Sequence, residues 1–232
     1  MKYFAISEKG KRESNEDAYL AEKIGDYYVF AVADGLGGHA AGEIASRIAI
    51  MELRETVRRK TGTIDEILLH AFSKANREIL FQSENVPERK GMATTLTACV
   101  LDERGRGVVA NVGDSRAYLI NDGIWHTKDH SYVQELLDKG VISEEEAMKH
   151  PMKNIVTRVL GAEKQLTPDF YEVDVRRKIL LLSTDGLHDY VRDERIAEIV
   201  KTHEPEKACR ELVREALEKG SGDNITVVVV RW

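Results

Sequence analysis

The sequence has little cysteine, no long apolar run and no excess of positive charge, and each shortage excludes a class of protein. Two cysteines, Cys99 and Cys209, occur in 232 residues. They lie far apart in apolar surroundings, which predicts reduced thiols in the core and not a disulfide or a zinc site. The formal net charge of −6 argues against broad binding to nucleic acid or to a membrane surface.

The absence of a long apolar run also bears on location. No run reaches the length needed to cross a bilayer, so we expect no membrane span. The first seven residues have the pattern of a short strand and not of a signal peptide, which predicts a cytoplasmic protein. The sequence shows no internal repeat and no long linker, and we therefore expect a single domain over residues 1–232.

The most informative stretch is Phe30-Ala-Val-Ala-Asp-Gly-Leu-Gly-Gly-His-Ala-Ala-Gly-Glu43. A short apolar run predicts a buried strand that ends at Asp34, and the glycines that follow predict a tight turn into a helix. Such a stretch fits a plain strand-turn-helix junction, a dinucleotide motif or a cation site. The dinucleotide motif requires a second strand ending in an acidic residue. Here the helix is followed by another helix, so the context excludes that motif.

The remaining elements predict antiparallel sheets with helices. Strands are predicted at 2–7, 18–24, 27–33, 94–101, 108–112, 117–120, 124–127, 178–184 and 225–230. The Asp122-Gly123 pair is a strong hairpin signal, and consecutive hairpins indicate a meander and not βαβ units. Thr63 and Glu66 form a capping box that predicts a helix start, and Pro205 predicts another.

Residues 129–168 break this regular pattern. Capping boxes at Ser131 and Ser143 predict two short helices, and Gly140 is expected to end the first of them. The rest of the segment is irregular. We interpret it as an insertion over one edge of the fold.

Four aspartates share one local context, since each lies beside a glycine at the end of a strong β run. They are Asp34, Asp114, Asp185 and Asp223. Carboxylates that are brought together repel one another unless a cation lies among them. A set of oxygen ligands without Cys/His spacing favours Mg²⁺ or Mn²⁺ over zinc, and Glu16 and Asp17 are two further candidate ligands.

Clustered acids of this kind are typical of a two-metal hydrolase. Two cations about 3.5–4 Å apart bind a bridging water and lower its pKa from 15.7 toward neutrality. The resulting hydroxide attacks phosphorus in line. A guanidinium is then needed to hold the phosphoryl oxygens, and Arg12, on the acidic loop, is our candidate for that role.

The whole chain resembles the type 2C metal-dependent serine/threonine protein phosphatases, in particular the compact bacterial members. The matching motifs occur in the family's order: Arg12-Glu-Ser-Asn-Glu-Asp17, Val32–Glu43, Gly91-Met-Ala-Thr-Thr95, Asn111-Val-Gly-Asp-Ser-Arg116, Asp129-His-Ser131, His150-Pro, Thr157-Arg-Val-Leu-Gly161, Leu182-Ser-Thr-Asp-Gly186 and Gly222-Asp-Asn-Ile-Thr226.

The resemblance implies an α+β fold, a four-layer αββα sandwich of two antiparallel sheets flanked by helix pairs. It implies that Asp34 bridges two Mn²⁺ or Mg²⁺ ions, with the carbonyl of Gly35 as a further ligand. Asp185 and Asp223 would hold the first ion, and Asp17, with Glu16 as a further candidate, would serve the second largely through water. Asp114 and Asp185 would hold a third, weaker ion. Asn224 would support Asp223, and residues 129–168 would form the flap that shapes substrate access.

One position departs from the animal members of the family. They place a histidine directly after the Asp-Gly pair, where it is discussed as a general acid, whereas Leu36 stands there in this chain. His39 and, on the flap, His150 are the alternative candidates for that role. Helix capping is the competing interpretation of His39, and packing is the expected role of His188.

The expected function is therefore dephosphorylation of phosphoserine and phosphothreonine in proteins by a monomeric enzyme that opposes a serine/threonine kinase. Two alternatives stay open from the sequence. One is a binding module that kept the fold without the chemistry, and the other is a hydrolase of small phosphoesters.

Overall fold

In the computed structural model, which describes residues 1–37 and 41–232, the strands form two five-stranded antiparallel sheets and one two-stranded ribbon. The strands are β1 (Lys2–Glu8), β2 (Ala18–Ile24), β3 (Tyr27–Ala33), β4 (Gly35–Leu36), β5 (Ala93–Thr94), β6 (Leu96–Leu101), β7 (Arg106–Val112), β8 (Arg116–Ile120), β9 (Ile124–His126), β10 (Asp169–Asp174), β11 (Ile179–Ser183) and β12 (Ile225–Arg231). The first sheet has the order β1-β12-β11-β8-β9, the second has β10-β7-β6-β3-β2, and β4 pairs with β5.

The helices are α1 (Ala41–Arg59), α2 (Ile64–Asn85), α3 (Tyr132–Asp138), α4 (Glu144–Lys149), α5 (Asp185–His188), α6 (Asp193–Thr202) and α7 (Pro205–Glu218). Helices α1 and α2 cover the outer face of the second sheet, and α6 and α7 cover that of the first. No helix among the described residues combines the length and the apolar character that a bilayer crossing requires.

Strand β3 shows how the layers are built. Val29, Ala31 and Ala33 belong to the core between the second sheet and helices α1 and α2. Phe30 and Val32 point the other way, into the core between the two sheets, because successive strand residues face opposite sides. The run is apolar throughout since both faces of the sheet are covered. A third core lies between the first sheet and helices α6 and α7. The four-layer αββα expectation is thus confirmed.

The local predictions are largely confirmed as well. The hairpin of β2 and β3 has the predicted bounds, and Thr63 forms a full capping box with Glu66. Ser143 does the same with Glu146. The capping box predicted at Ser131 is wrong: Ser131 accepts a hydrogen bond from the Gln134 amide, but the Gln134 side chain donates to Asp138 instead.

Two predicted elements are interrupted in the structure. The run 94–101 breaks at Thr95, because its amide donates to the carbonyl of Asp34 (2.9 Å) and not to the strand ladder. The sequence of residues 187–200 also predicts a mostly helical stretch, and the structure divides it between α5 and α6, with the fully buried Val191 between them.

Strand register brings the aspartates to one end of each sheet. In the second sheet, Ala18 pairs with Ala33 and Leu96 with Val112. Asp17 precedes β2, Asp34 follows β3 and Asp114 follows β7, so all three lie at the same end of the strands. In the first sheet, Ser183 pairs with Val227, which places Asp185 and Asp223 at the same end of the strands. Hydrogen bonds from Thr184 and Thr226 to Asp17 join the two sheet ends.

The segment 129–168 contains α3 and α4 and is tied to the sheets at both ends. Arg116 forms a bidentate ion pair with Asp129, at 2.8 and 2.7 Å. Leu160 and Thr94 exchange backbone hydrogen bonds of 3.0 and 2.9 Å. The second contact connects this segment to β5, which pairs with the Gly35-Leu36 strand.

Candidate metal centre

Asp34 is the centre of the acidic cluster. The residue is half-buried, and burial of its carboxyl raises its pKa well above the ordinary value. The negative charges of Asp17, Asp185, Asp114 and Asp223 raise it further, in that order. All four carboxyl groups therefore lie close enough to Asp34 to act on its ionisation.

Thr95 fixes the backbone on both sides of Asp34. The Asp34 amide donates to Thr95 Oγ1 (2.8 Å), and the Asp34 carbonyl accepts from the Thr95 amide and from Thr94 Oγ1. The sequence reasoning gave no role to these threonines, although they stand in one of the matching motifs. Polar residues at the end of a buried strand pattern are the signal that would have drawn attention to them.

Asp17 is half-buried, and its carboxyl is held by two hydroxyl groups. Burial raises its pKa to about 7, although hydrogen bonds from Thr226 Oγ1 (2.6 Å) and Thr184 Oγ1 (2.9 Å) favour the ionised form. Both hydroxyls donate to Oδ2. The other oxygen, Oδ1, is buried and lacks a hydrogen-bond partner.

Asp185 has the same feature. Burial raises its pKa to about 7, and the charges of Asp189 and Asp223 add to this. Its Oδ1 is also buried and unpartnered. In the described part of the chain, four buried side-chain atoms lack a partner, and two of them are these carboxylate oxygens. A buried unpaired oxygen is costly unless another group, such as a cation, satisfies it.

Asp114 lies on the turn after β7, and its carboxyl is also buried. Burial raises its pKa well above the ordinary value, and the charges of Asp185 and Asp129 contribute. The backbone carbonyl of Asp114 is 3.1 Å from Nε2 of the half-buried His188, whose Nδ1 lies 3.0 Å from Ser183 Oγ. His188 thus connects this turn to β11, in agreement with a packing role.

Glycines at the start of β4 and α1 let the backbone come close to the cluster. A Cβ on Gly35 would lie 2.6 Å from the carbonyl oxygen of Glu16 and would overlap that of Gly42. The Gly35 amide donates to the Glu16 carbonyl (3.2 Å), and Ser46 Oγ donates to the same oxygen (2.6 Å). Only a glycine fits at position 35.

Arg12 lies beside the cluster and not within it. Its Nη2 is 2.7 Å from Asp223 Oδ2, and 61% of its side chain is exposed. The other oxygen of Asp223 accepts from the Asn224 amide (2.8 Å). A guanidinium has five N–H donors, so a single contact with Asp223 leaves most of them for another ligand.

The remaining candidates have different surroundings. Glu16 lies next to Gly42; burial raises its pKa, and the charges acting on it are those of Arg12, Glu43 and Asp223. His150 is at the end of α4, where Nδ1 accepts from the Met152 amide and the ring packs on Tyr132. His39 lies outside the described residues. The side chain of Asn224 binds the loop before Asp17.

Among residues 1–37 and 41–232, no group of three His, Cys, Asp or Glu side chains is arranged to coordinate one metal ion by itself. That result agrees with the chemistry of Mg²⁺, which is usually held by one or two carboxylates and completes its shell with water. The donors here are carboxylate and carbonyl oxygens, and two of the carboxylate oxygens are buried without a partner. The residues present therefore fit a hard divalent cation.

A two-sheet αββα sandwich whose strand ends collect buried aspartates defines a class, and comparison with known proteins identifies it. The model of the family described as protein phosphatase 2C matches residues 7–219. The chain belongs to this family. The sequence-based resemblance is confirmed.

Relatives with similar sequences come from several bacteria. The serine/threonine phosphatase stp of Listeria monocytogenes is 39% identical over 230 residues, which cover 94% of this chain and 90% of the relative. The serine/threonine protein phosphatase PstP of Mycobacterium tuberculosis is 40% identical over 99% of this chain, which spans 44% of that longer protein.

Solved structures show the same fold. Stp1 of Staphylococcus aureus superimposes with a TM-score of 0.94 at 34% identity, covering all of this chain and 94% of the other. The catalytic domain of PstP in complex with two manganese ions superimposes with a TM-score of 0.88 at 36% identity, covering 98% of this chain and 96% of the other.

Proposed function

We propose that this chain is a metal-dependent serine/threonine protein phosphatase that hydrolyses phosphoserine and phosphothreonine in proteins at a centre of two Mn²⁺ or Mg²⁺ ions. The observation that carries the proposal is the buried group of carboxyls around Asp34, in which Asp17 Oδ1 and Asp185 Oδ1 lack partners. Membership of the phosphatase family and the two manganese ions of the PstP structure support the same conclusion.

We assign the ion-binding roles as the resemblance implies. Asp34, Asp185 and Asp223 would hold the first ion. Asp34 and the Gly35 carbonyl would hold the second, with Asp17 and Glu16 acting there largely through water. Asp114 with Asp185 would hold a third and weaker ion. The ions, when bound, would supply an activated water and neutralise the phosphoryl charge.

The protein groups would orient the substrate and the ligands. Arg12 would hold the phosphoryl oxygens with the N–H groups that Asp223 leaves free, since a planar guanidinium matches phosphate geometry. Thr184 and Thr226 would keep Asp17 ionised and in one orientation. Thr95 would keep Asp34 in place at the end of its strand.

His39 and His150 stay the two candidates for the general acid that protonates the leaving alcohol. A general acid matters most when the leaving group is a poor one. Replacing the acting histidine by Ala should therefore slow hydrolysis of a phosphoserine peptide more than hydrolysis of p-nitrophenyl phosphate. Equal effects on both substrates would argue against that histidine.

We further propose a single catalytic domain over residues 1–232, with residues 129–168 as its flap. The ion pair between Lys153 and Asp189 (2.7 Å) supports an active-site location for the flap, because Asp189 follows Asp185 by four residues. Limited proteolysis tests the proposal: cleavage should concentrate in 129–168, whereas cleavage elsewhere into two stable fragments would indicate two domains.

The cellular setting is also a proposal. Cys99 and Cys209 are both buried free thiols, which agrees with a reducing compartment such as the cytoplasm. We propose a monomer that acts on phosphorylated proteins and opposes a serine/threonine kinase. Cell fractionation and light scattering of the purified protein test the location and the oligomeric state.

The decisive experiment uses purified protein with a phosphothreonine peptide and with p-nitrophenyl phosphate. We expect turnover of both to require added Mn²⁺ or Mg²⁺ and to stop with excess chelator. Competition between the two substrates shows whether proteins or small phosphoesters are preferred. Turnover that survives the chelator, or none at any Mn²⁺ concentration, would contradict the proposal.

A further inference from the structure

The loop from Lys9 to Ser14 carries Arg12 near its middle. It follows β1 and has no helix or strand hydrogen bonds of its own. The Arg12 side chain is mostly exposed, and it forms an ion pair with Asp223. A long exposed side chain keeps a defined position only when the backbone that carries it is fixed. The groups that fix this loop therefore decide where the guanidinium lies.

The side-chain amide of Asn224 joins both ends of this loop. Its Nδ2 donates to the carbonyl of Lys9 (2.8 Å) and to that of Ser14 (3.0 Å). Its Oδ1 accepts from the amide of Glu16 (2.8 Å). The residue is 5% exposed. One buried side chain thus uses its two donors and its acceptor on the backbone around Arg12.

Gly10 brings the same loop against the neighbouring backbone. It has a φ of +63°, and a side chain at this position would overlap the carbonyl oxygen of Asp223. The loop therefore packs directly against the segment that contains Asn224. This close packing explains how the short side chain of Asn224 reaches the carbonyls of both Lys9 and Ser14.

We propose that Asn224 is a positioning residue for the substrate phosphate: by closing the loop Lys9–Ser14, its side chain holds Arg12 where the phosphoryl group binds. This inference rests on the proposed function, which assigns the phosphoryl contact to Arg12. It differs from the expected support of Asp223, since that support comes from the backbone amide of Asn224.

The two roles of Asn224 are separable because they belong to different atoms. Replacing Asn224 by Ala removes the three side-chain hydrogen bonds and leaves the backbone amide that donates to Asp223. Loss of the loop should weaken phosphate binding. Affinity for Mn²⁺, measured by calorimetry without substrate, should then stay within about threefold, a change below the 1.4 kcal/mol of a tenfold effect.

The test is a double-mutant cycle of N224A, R12A and N224A/R12A, assayed with a phosphothreonine peptide at saturating Mn²⁺. We expect N224A to raise KM about tenfold, equivalent to about 1.4 kcal/mol, with kcat changed much less. We also expect N224A to have no further effect on KM in the R12A background, because residues acting through one contact are not additive.

Two further variants separate positioning from a loss of folding. Leu212 of α7 is a fully buried residue in the core between the first sheet and helices α6 and α7, away from the acidic cluster. L212A should lower thermal stability, as large-to-small core substitutions do, and leave KM unchanged. If N224A does not fold, N224L replaces it in the cycle, since leucine has nearly the shape of asparagine, adds no charge and lacks the donors and the acceptor.

The outcomes distinguish this inference from the proposed function. Additive effects on KM, or a large loss of Mn²⁺ affinity with KM unchanged, overturn the role of Asn224 and leave the phosphatase function intact. A wild-type protein without turnover overturns the function, and equilibrium dialysis with inorganic phosphate then tests the loop. Equal loss of phosphate binding in R12A and N224A supports the inference; binding by N224A equal to wild type, or none by wild type, overturns it.

Discussion

The hydroxyl of Thr226, at the second residue of β12, donates a 2.6 Å hydrogen bond to Oδ2 of Asp17, at the entry to β2. These residues are 209 positions apart in the sequence and belong to different sheets. The bond therefore fixes one sheet end against the other. It also leaves Oδ1 of Asp17 as the oxygen that is free for another ligand.

Thr226→Val should weaken metal binding, because valine has the shape of threonine without the donor. A buried carboxylate that loses a hydrogen bond holds its charge less well, so the pKa of Asp17 should rise further. We expect the Mn²⁺ concentration for half-maximal activity to increase about tenfold, the effect of about 1.4 kcal/mol. Thr202→Val, on the outer helix α6, is the matched control and should leave this concentration unchanged.

The stability of the metal-free protein should fall as the pH rises toward neutrality. Asp17 and Asp185 have pKa values raised to about 7 in the folded protein, whereas the ordinary value is 3.8. Between these values the folded state binds more protons than the unfolded state. Each group then lowers the free energy of unfolding by up to about 1.4 kcal/mol per pH unit.

Thermal melts in chelator from pH 4 to 8 measure this effect, and Asp185→Asn provides the reference. The stabilising contribution of Asp185 is fully present below pH 3.8 and is lost through pH 7, so the melting difference between variant and wild type should grow with pH. Added Mn²⁺ should stabilise wild type most at pH 8. A constant difference across the range would show that Asp185 has an ordinary pKa.

Asp34→Asn should have opposite effects on activity and on stability. The change removes a carboxyl whose negative charge is disfavoured by burial and by four other carboxyls, and the metal-free protein at pH 8 should gain about 1–3 kcal/mol. Activity should fall on the order of 10³-fold, since the same charge balances the cations that stabilise the transition state. Melts in chelator and assays in Mn²⁺ separate the two effects; a variant less stable than wild type would contradict the buried-charge interpretation.

The fold could be predicted from the sequence because its signals are local. The apolar run that ends at Asp34 and the turn at Asp122-Gly123 each depend on neighbouring residues. Burial of β3 on both faces could be predicted because its sequence has no charged or strongly polar positions. The structure shows the reason, since a core lies on either side of this strand. The order of the four layers could be predicted only from the family resemblance, because no local sequence pattern shows which sheet and helix faces pack together.

The candidate site could be predicted only in part. An acidic residue beside a glycine at a strand end is visible in the sequence, and Asp34 was found in this way. The hydroxyls that hold Asp17 were not, because Thr184 and Thr226 resemble ordinary strand threonines until the two sheets are packed together. The side-chain role of Asn224 was missed for the same reason, since its partners Lys9 and Ser14 are more than 200 residues away.

Gly35→Ala should abolish activity without removing any functional group. A methyl group at this position would lie 2.6 Å from the carbonyl oxygen of Glu16 and would overlap that of Gly42. Both are backbone atoms, so they cannot move aside as a flexible side chain would, and strand β4 must shift away from Asp17 and Asp34.

Gly123→Ala is the matched control, because a methyl group there meets nothing within 4 Å. We expect Gly35→Ala to lose Mn²⁺ affinity by more than about tenfold, measured by calorimetry, while Gly123→Ala behaves as wild type. Full Mn²⁺ affinity in Gly35→Ala would show that the close approach of these backbones does not serve the metal centre.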